Sequence, residues 1–398
     1  MPLIEAAKQQ DLYIGIIDKD PAALGIKFAN VYFPVSTTDI PGVVDVARKF
    51  SPQGIVTMAT DMPMRALATA CEALNLPSIS QNCALVCTDK GLMMKSLHSG
   101  NVPSPWYHVY SDIAQYRNDI VGLPLPCILK PVDSSGSRGV VKLISAKEAI
   151  EAYEYARSAS REGRVIVEEF LSGREISVEV LCESGNPRVI ATTSKLTTGT
   201  PHFVEIGHSQ PADLTKSENN AVIDVACAAV RALGISTGAA HVELMVTASG
   251  PRLIEVGARL GGDYITSHLT PMSTGVNMVK AVLDMSLGRS CNIPDPRRDG
   301  SAIRYITAGN GIVTSVSGME RAKAVSGVTE VRLTKPIGYH YGELHGSDER
   351  LGYVIAKGNC ANEAIRRCDE AISMIDVEVH SDSVDTCYNT TSDPMECS

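Results

Sequence analysis

Two glutamates and an arginine carry the most suggestive chemistry in this chain. The stretch 241–263, HVELMVTASGPRLIEVGARLGGD, alternates in hydropathy on either side of a break. In the first half His241, Glu243 and Met245 share one face and Leu244 and Val246 the other; in the second, Ile254 and Val256 oppose Leu253 and Glu255. Ala248, Ser249, Gly250 and Pro251 supply the turn of a hairpin. If it is centred on Ser249, Glu243 lies directly across from Glu255, where Cβ atoms are about 4.5–5.5 Å apart and like charges repel. A divalent cation between the carboxylates would relieve that repulsion. Arg259, a helical turn or so later, could hold an anion bound to the cation. Mg²⁺ suits such a place, because it takes few protein carboxylates and lets substrate phosphates complete its shell. A solvated surface hairpin with two scattered acids accounts for the same residues equally well, so the surrounding elements have to decide.

The chain has 398 residues, enough for two or three domains with a large core. A net charge of −9 argues against a general nucleic-acid or anionic-membrane surface. No run approaches the ~18 apolar residues of a membrane helix. The start, MPLIEAAKQQ, lacks the charged segment and apolar core of a signal peptide. Eleven cysteines are dispersed, and the nearest pair, Cys83 and Cys87, has no second pair to complete a zinc site. Reduced thiols in a cytoplasmic protein are the expectation.

Hydrophobic periodicity predicts helices over 2–10, 41–49 and 64–74 and strands over 12–17, 29–33, 54–58 and 77–79, an alternation that implies a parallel α/β sheet. Such a domain usually opens on a strand and a glycine-rich turn, whereas this chain opens on what should be its first helix. A helix follows over 89–98, capped by Thr88 or Asp89. After a proline-rich stretch, strands are predicted over 127–131, 140–144 and 165–169, with a helix over 146–157. Strands over 175–180 and 188–194, a loop over 197–214 and a helix over 217–233 lead to the hairpin. A helix over 275–287 precedes a third unit, with strands over 301–308, 311–313, 328–334 and 352–356 and a helix over 362–375. Residues 381–398 are polar and aperiodic and read as disordered.

Among these elements, the turn DSSGSRG at 133–139 has the small residues of an anion nest, and Lys130 just before it could set a point charge against phosphate. It is not a P-loop. Lys90 opens a helix, where lysines are usually just solvated. Gly257, Gly261 and Gly262 do not make a dinucleotide fingerprint, since a hairpin rather than a βαβ crossover precedes them. His202, Glu205 and His208 share one loop with Phe203. Glu205 could take an ammonium group there, and a solvated loop is as good a reading.

The order helix lysine, strand lysine, small-residue turn, acidic hinge and Glu–Glu–Arg hairpin resembles the ATP-grasp superfamily. It is similar to biotin carboxylase and the carbamoyl-phosphate synthetase halves, and most similar to the L-amino-acid ligases that make dipeptides, of the alanine–anticapsin ligase type. The segments that carry the resemblance are DKGLMMK, CILKPVDSSGSRGVVK, VIVEEFLSGREISVEV, HVELMV with LIEVGARLGGD, and AIRYITAGNGIV with GVTEVRL and RLGYVIAKG, together covering about 2–380. The resemblance implies an α/β and α+β protein with the ATP-grasp fold. Residues 1–88 would be an N-terminal α/β domain without its first strand. Residues 89–300 would be a two-lobed ATP-binding region with a mobile lobe at about 103–171, and 301–380 a C-terminal α+β unit.

It further implies that Lys90 and Lys130 contact ATP phosphates, under a mobile loop containing Ser135, Gly136, Ser137 and Gly139. Glu168, Glu169, Phe170 and Leu171 would form the adenine hinge, and Glu175 would bind ribose. Glu243 and Glu255 would hold Mg²⁺ or Mn²⁺, Arg259 would stabilise the transferred phosphoryl group, and Glu205 and His208 would face the substrate. Where many relatives carry Asn two residues after the second metal glutamate, this chain has Gly257. The implied reaction is ATP-dependent ligation of a carboxylate to an amine through an acyl phosphate. The implied partners are small molecules, with no nucleic acid and no membrane, in a cytoplasmic protein and possible homodimer. A carboxylase or formate- or bicarbonate-activating enzyme of the purine-pathway type, and an inactive nucleotide-binding protein, are the alternatives.

Overall fold

A computed structural model describes residues 1–200 and 203–380. His202 and the tail 381–398, expected to be disordered, lie outside the described residues. The N-terminal part has helices Pro2–Lys8, Ile40–Phe50, Met64–Ala73 and Gln81–Cys87, but its sheet is only the parallel pair β1 (Gly15–Ile17) and β2 (Val31–Phe33). The strands expected over 54–58 and 77–79 do not form. A strand exists only as part of a hydrogen-bonded ladder, and neither segment is paired in one.

The next unit is a four-stranded antiparallel sheet made by β3 (Tyr107–Tyr110), β4 (Cys127–Pro131), β5 (Val141–Leu143) and β6 (Val165–Glu169), in the order β3-β6-β4-β5. Helix Ala149–Ser158 packs on it. Three tyrosines fill the core: Tyr110 sits edge-on to Tyr116, which stacks on Tyr153 with ring centroids 4.8 Å apart. Among the described residues this sheet shares no strand with the larger one that follows.

The larger sheet has eight strands. It begins with β7 (Arg174–Glu183), β8 (Asn186–Thr197), β9 (Glu205–Gln210), β10 (Gly238–Thr247), β11 (Gly250–Gly257) and β12 (Gly300–Ile306). After β13 (Gly311–Ser317) come β14 (Val328–Leu333), β15 (His340–Tyr341), β16 (Gly352–Gly358) and β17 (Asp376–His380). The order is β11-β10-β7-β8-β9-β12-β16-β14, while β15-β13-β17 form a small sheet of their own. Of the strands after residue 300, β12, β16 and β14 continue the central sheet through the pairing of β12 with β9. Within the loop expected over 197–214, residues 205–210 form β9, because small and polar residues can pair when neighbours on both sides hold them. Helix Lys216–Ala232 starts at a capping box of Thr215 and Glu218 and lays Val222, Val225, Ala226, Ala229 and Val230 on the hairpin β10–β11.

Glu243 does pair with Glu255, but by a different route from the one expected. The turn is the two residues Ala248 and Ser249, with Thr247 opposite Gly250. That turn alone would bring Glu243 opposite Ile254. A bulge between Glu243 and Leu244 sets Leu244 opposite Leu253 and restores Glu243 opposite Glu255. Ile254 is the extra residue, so Leu253 and Val256 enter the core while Ile254 and Glu255 both line the cleft. This corrects the simple alternation read from the sequence. Leu253 is fully buried in the largest hydrophobic cluster. Leu253→Ala is expected to lower unfolding free energy by about 2–5 kcal/mol, measured by urea denaturation. A loss below about 1 kcal/mol would show that this side of the bulge does not carry the hairpin.

Candidate active site

The cleft lies between the four-stranded sheet and one face of the large sheet. Asp89 caps helix Lys90–Ser99 by accepting from the Leu92 amide at 3.0 Å, which fixes Lys90 at the helix start. The Lys90 ammonium, 7% exposed, donates to the Ser134 carbonyl at 2.7 Å and to Glu255 Oε1 at 2.8 Å. It is thus no solvated surface lysine. On β4, Lys130 pairs with Glu168 of β6 at 2.7 Å. Burial opposes the Lys130 charge, but Glu168, Glu255 and Glu243 outweigh it and raise its pKa. The other Glu168 oxygen is buried without a partner.

Between these lysines runs the turn with Ser135, Gly136, Ser137 and Gly139. Gly136, Ser137 and Gly139 all have positive φ, and a Cβ on Gly139 would sit 2.6 Å from that of Ala159. Along the hinge, the Glu169 side chain turns to Arg252 at 2.8 Å, Lys142 lies 3.7 Å above the Phe170 ring, and Leu171 is buried.

The large sheet presents one charged face. Register places Glu243 beside Ser177, His241 beside Glu179 and Met245 beside Glu175, while Lys195 of β8 pairs with His208 of β9. Lys195 is the residue that sequence reading missed. Its side chain is 3% exposed, bonded to Glu175, and 3.3 Å from Glu243 and 3.4 Å from Glu205. Burial works against its charge, yet the three carboxylates hold its pKa well above the usual lysine value. The available signal was a lysine inside the strand-like run ATTSKLT. His241 bridges Glu179 at 2.7 Å and Glu243 at 3.1 Å, and although burial disfavours its cation, those carboxylates raise its pKa to about 9. Burial also disfavours the Glu243 anion, but Lys195, His241 and Arg259 hold its pKa well below the carboxylate range.

Arg259 makes two hydrogen bonds, each 3.0 Å, to Asp61 of the N-terminal part, a second residue that sequence reading did not single out. Glu205 accepts from Ser347 Oγ at 2.9 Å, and its carbonyl accepts from Arg350. His208 contacts Asp263 at 3.2 Å, and Arg350 grips both Asp263 oxygens while stacking 3.6 Å over Tyr305. Glu205 lines the cleft with Arg259 and Lys195, whereas His208 is buried behind it against Asp263. No group of three or more His, Cys, Asp or Glu side chains suited to a metal occurs among the described residues. A facing pair of carboxylates is what remains, and that suits Mg²⁺ shared with phosphate oxygens.

Residues 123–267 match the model of an ATP-grasp domain, and 304–380 match L-amino acid ligase C-terminal domain 2. The chain is 25% identical over 400 residues to phosphoribosylamine–glycine ligase of Chlorobaculum tepidum, covering 94% of this chain and 92% of that protein. It is 26% identical over 279 residues to alanine–anticapsin ligase of Bacillus subtilis, covering 64% and 58%. Its fold superposes on the crystal structure of an L-amino acid ligase from Bacillus licheniformis with a TM-score of 0.82, at 24% identity and 95% coverage of both chains. No helix among the described residues is long and apolar enough to cross a membrane.

Asp263 gives a pH prediction. Burial would raise its pKa, but the bonds from Arg350 and His208 prevail and hold it well below the carboxylate range. A carboxyl depressed in the folded state contributes stability that is present above its unfolded pKa, about 3.9, and lost as pH falls below that value. Asp263→Asn is therefore expected to destabilise the protein at neutral pH and to flatten the acid limb of its stability curve. Parallel urea midpoints for both proteins from pH 7 to about 3 would contradict this.

Proposed function

This chain belongs to the ATP-grasp ligases and carries the C-terminal domain of the L-amino acid ligases, and on that premise we propose that it joins the carboxylate of one amino acid to the amine of another at the expense of ATP. The observation that carries the reading is the bulge-set pairing of Glu243 with Glu255 on a cleft wall shared with Lys90, Lys130 and Arg259. Lys90 and Lys130 both line the cleft beside the turn at 133–139 and would together hold a polyphosphate. The turn with Gly136 and Gly139 offers amides to the same phosphates. Glu243 and Glu255 would hold Mg²⁺, which neutralises phosphate charge when bound.

In the proposed reaction the substrate carboxylate attacks the γ-phosphorus in line. The bond from that phosphorus to the β,γ-bridging oxygen breaks, ADP leaves, and an acyl phosphate forms. The amine then attacks the carbonyl carbon, inorganic phosphate departs, and the ammonium proton passes to solvent. Arg259 offsets charge that develops on the phosphoryl and carbonyl oxygens. Its planar fork is already oriented by Asp61, so little reorganisation is needed. Glu205 lines the cleft beside Arg259 and would take the substrate's ammonium group, because a buried cation needs a paired carboxylate.

The phosphoribosylamine–glycine ligase relative keeps the purine-pathway reading in view. The match of 304–380 to the L-amino acid ligase C-terminal domain favours the amino-acid reading over it. Mixing the protein with ATP, Mg²⁺ and single amino acids, amino-acid pairs, bicarbonate or formate separates the readings. Phosphate release with amino acids, together with a dipeptide mass, is the expected result. Release only with bicarbonate or formate would overturn the proposal.

Two substitutions test the assignments within it. Glu255→Gln is nearly isosteric and removes one of the facing charges. It is expected to cut turnover about 10²-fold or more with the circular dichroism spectrum unchanged, and unchanged turnover would remove the metal role. Glu205→Ala is expected to raise KM for an amino acid by about 10–100-fold, as loss of a charged hydrogen bond implies, with KM for ATP changing far less. A fall in kcat as well would mean that Glu205 also positions the acyl phosphate; equal effects on both substrates would count against it.

A further inference from the structure

Behind the charged face of the cleft lies a pair of side chains that the proposed reaction does not use. Glu179 of β7 is fully buried, and His241, opposite it on β10, is buried as well. Burying charge is costly unless it is paired and hydrogen-bonded. Here the pairing is close: His241 Nδ1 donates to Glu179 Oε1 at 2.7 Å, and Ser177 Oγ donates to the same oxygen at 3.1 Å. On its other side His241 Nε2 donates to Glu243 Oε1 at 3.1 Å. Both partners of the ring are carboxylates, which only accept when ionised, so both nitrogens donate. The second oxygen of Glu179 is buried without a partner. Replacing a buried ion pair by apolar side chains of similar volume is often neutral or stabilising, so packing alone gives no reason for this one.

The reason lies in which oxygen of Glu243 is taken. His241 and Lys195 both reach Oε1, at 3.1 and 3.3 Å, and among the described residues no ion pair falls on Oε2. Glu255, across the hairpin, repeats the pattern, with Lys90 on its Oε1 at 2.8 Å. Each carboxylate is thus held by one oxygen and keeps the other for a ligand. The ring that holds Glu243 is itself confined. A Cβ on Gly261 would sit 2.7 Å from both His241 Nδ1 and Glu179 Oε2, so the glycine lets the bend after Arg259 lie directly on the pair.

We propose that Glu179 and His241 are positioning residues for the metal: Glu179 fixes the ring of His241, and the ring holds Oε1 of Glu243 so that Oε2 is left to a divalent cation. Groups that hydrogen-bond a metal ligand from behind set its orientation, and their loss typically costs about 10–100-fold in metal affinity. The inference rests on the assignment of Glu243 and Glu255 to Mg²⁺ made above. It also gives Ser177 and Gly261 their places, the first as a second donor to Glu179 and the second as the gap that admits the pair.

The test titrates Mn²⁺ into the whole chain with ADP present and reads free Mn²⁺ by electron paramagnetic resonance, so no amino acid is needed. His241→Leu and Glu179→Gln are each expected to weaken Mn²⁺ about tenfold or more, with the affinity for metal-free ADP unchanged within about twofold. His241→Gln, whose amide N–H can stand where Nε2 does, is expected to recover most of that loss. The double variant Glu179→Leu with His241→Leu is expected to lose the metal and keep its thermal midpoint. Unchanged Mn²⁺ affinity in His241→Leu and Glu179→Gln would overturn the inference and leave the ligase reading standing. So would tighter Mn²⁺ in His241→Leu, the result of merely removing a cation beside the site. A parallel fall of midpoint, ADP affinity and Mn²⁺ affinity in all the variants would make the pair structural and overturn it too. An unaltered chain that holds no Mn²⁺ with ADP would overturn the metal assignment and the inference together.

Discussion

Carboxylates lining one cleft have to be neutralised where they stand, and that requirement organises this protein. Glu168, Glu175, Glu205, Glu243, Glu255 and Asp61 all face a shared, partly desolvated space. At effective dielectrics near 20 a pair of like charges 4 Å apart costs about 4 kcal/mol, so an uncompensated cluster could not fold. Each acid instead has a cation in contact. Glu168 has Lys130, Glu255 has Lys90, Asp61 has Arg259, and Glu175, Glu205 and Glu243 share Lys195. A cleft in which every acid already touches a cation can exchange partners when an anionic ligand enters.

The matching also ties the units together. Lys90 sits on the helix that follows the N-terminal part, Asp61 reaches over from that part itself, and Arg350 and Ser347 come from beyond β14. The charged face of the central sheet is thus met from several directions by side chains far apart in sequence. This explains why β12, β16 and β14 extend the central sheet. Arg350 can lie against Glu205 and Asp263 only if its surroundings are anchored beside β9, and the β9–β12 pairing supplies that anchor.

The sequence was most informative where one period governed a segment. Strands over 127–131 and 165–169 and the helix opened by Lys90 were readable because alternation or capping acts within a few residues. It was least informative where pairing, not composition, makes the element. Residues 205–210 read as loop because small and polar residues dominate, and they become β9 only through neighbours on both sides. Lys195 was invisible for a related reason: nothing local tells that three acids from β7, β9 and β10 converge on it. The hairpin register came out as expected although the turn did not, since the shorter turn and the bulge at Ile254 are each one residue off in compensating directions. Only the repulsion argument, which asks what would make two glutamates face each other, was independent of that detail.

The turn after Arg259 brings these threads together. Asp263 and Tyr264 are consecutive non-glycine residues in the left-handed region, with φ of 51° and 63°, a conformation that costs about 1–2 kcal/mol per residue. Strain of this kind persists only where the surroundings over-determine it. Here Arg350 holds both oxygens of Asp263, Tyr305 donates to its carbonyl at 3.3 Å, and the Tyr264 ring lies 4.3 Å from that of Tyr353. All three anchoring residues belong to the part of the chain after 300. The turn they hold starts four residues after Arg259, beside the glycines that let the backbone bend there. The C-terminal strands therefore do more than lengthen a sheet: they fix the backbone that follows the arginine, while Asp61 fixes its guanidinium from the opposite side. With its guanidinium held by Asp61 and the turn that follows it held by the strands after 300, the arginine is oriented before any substrate arrives.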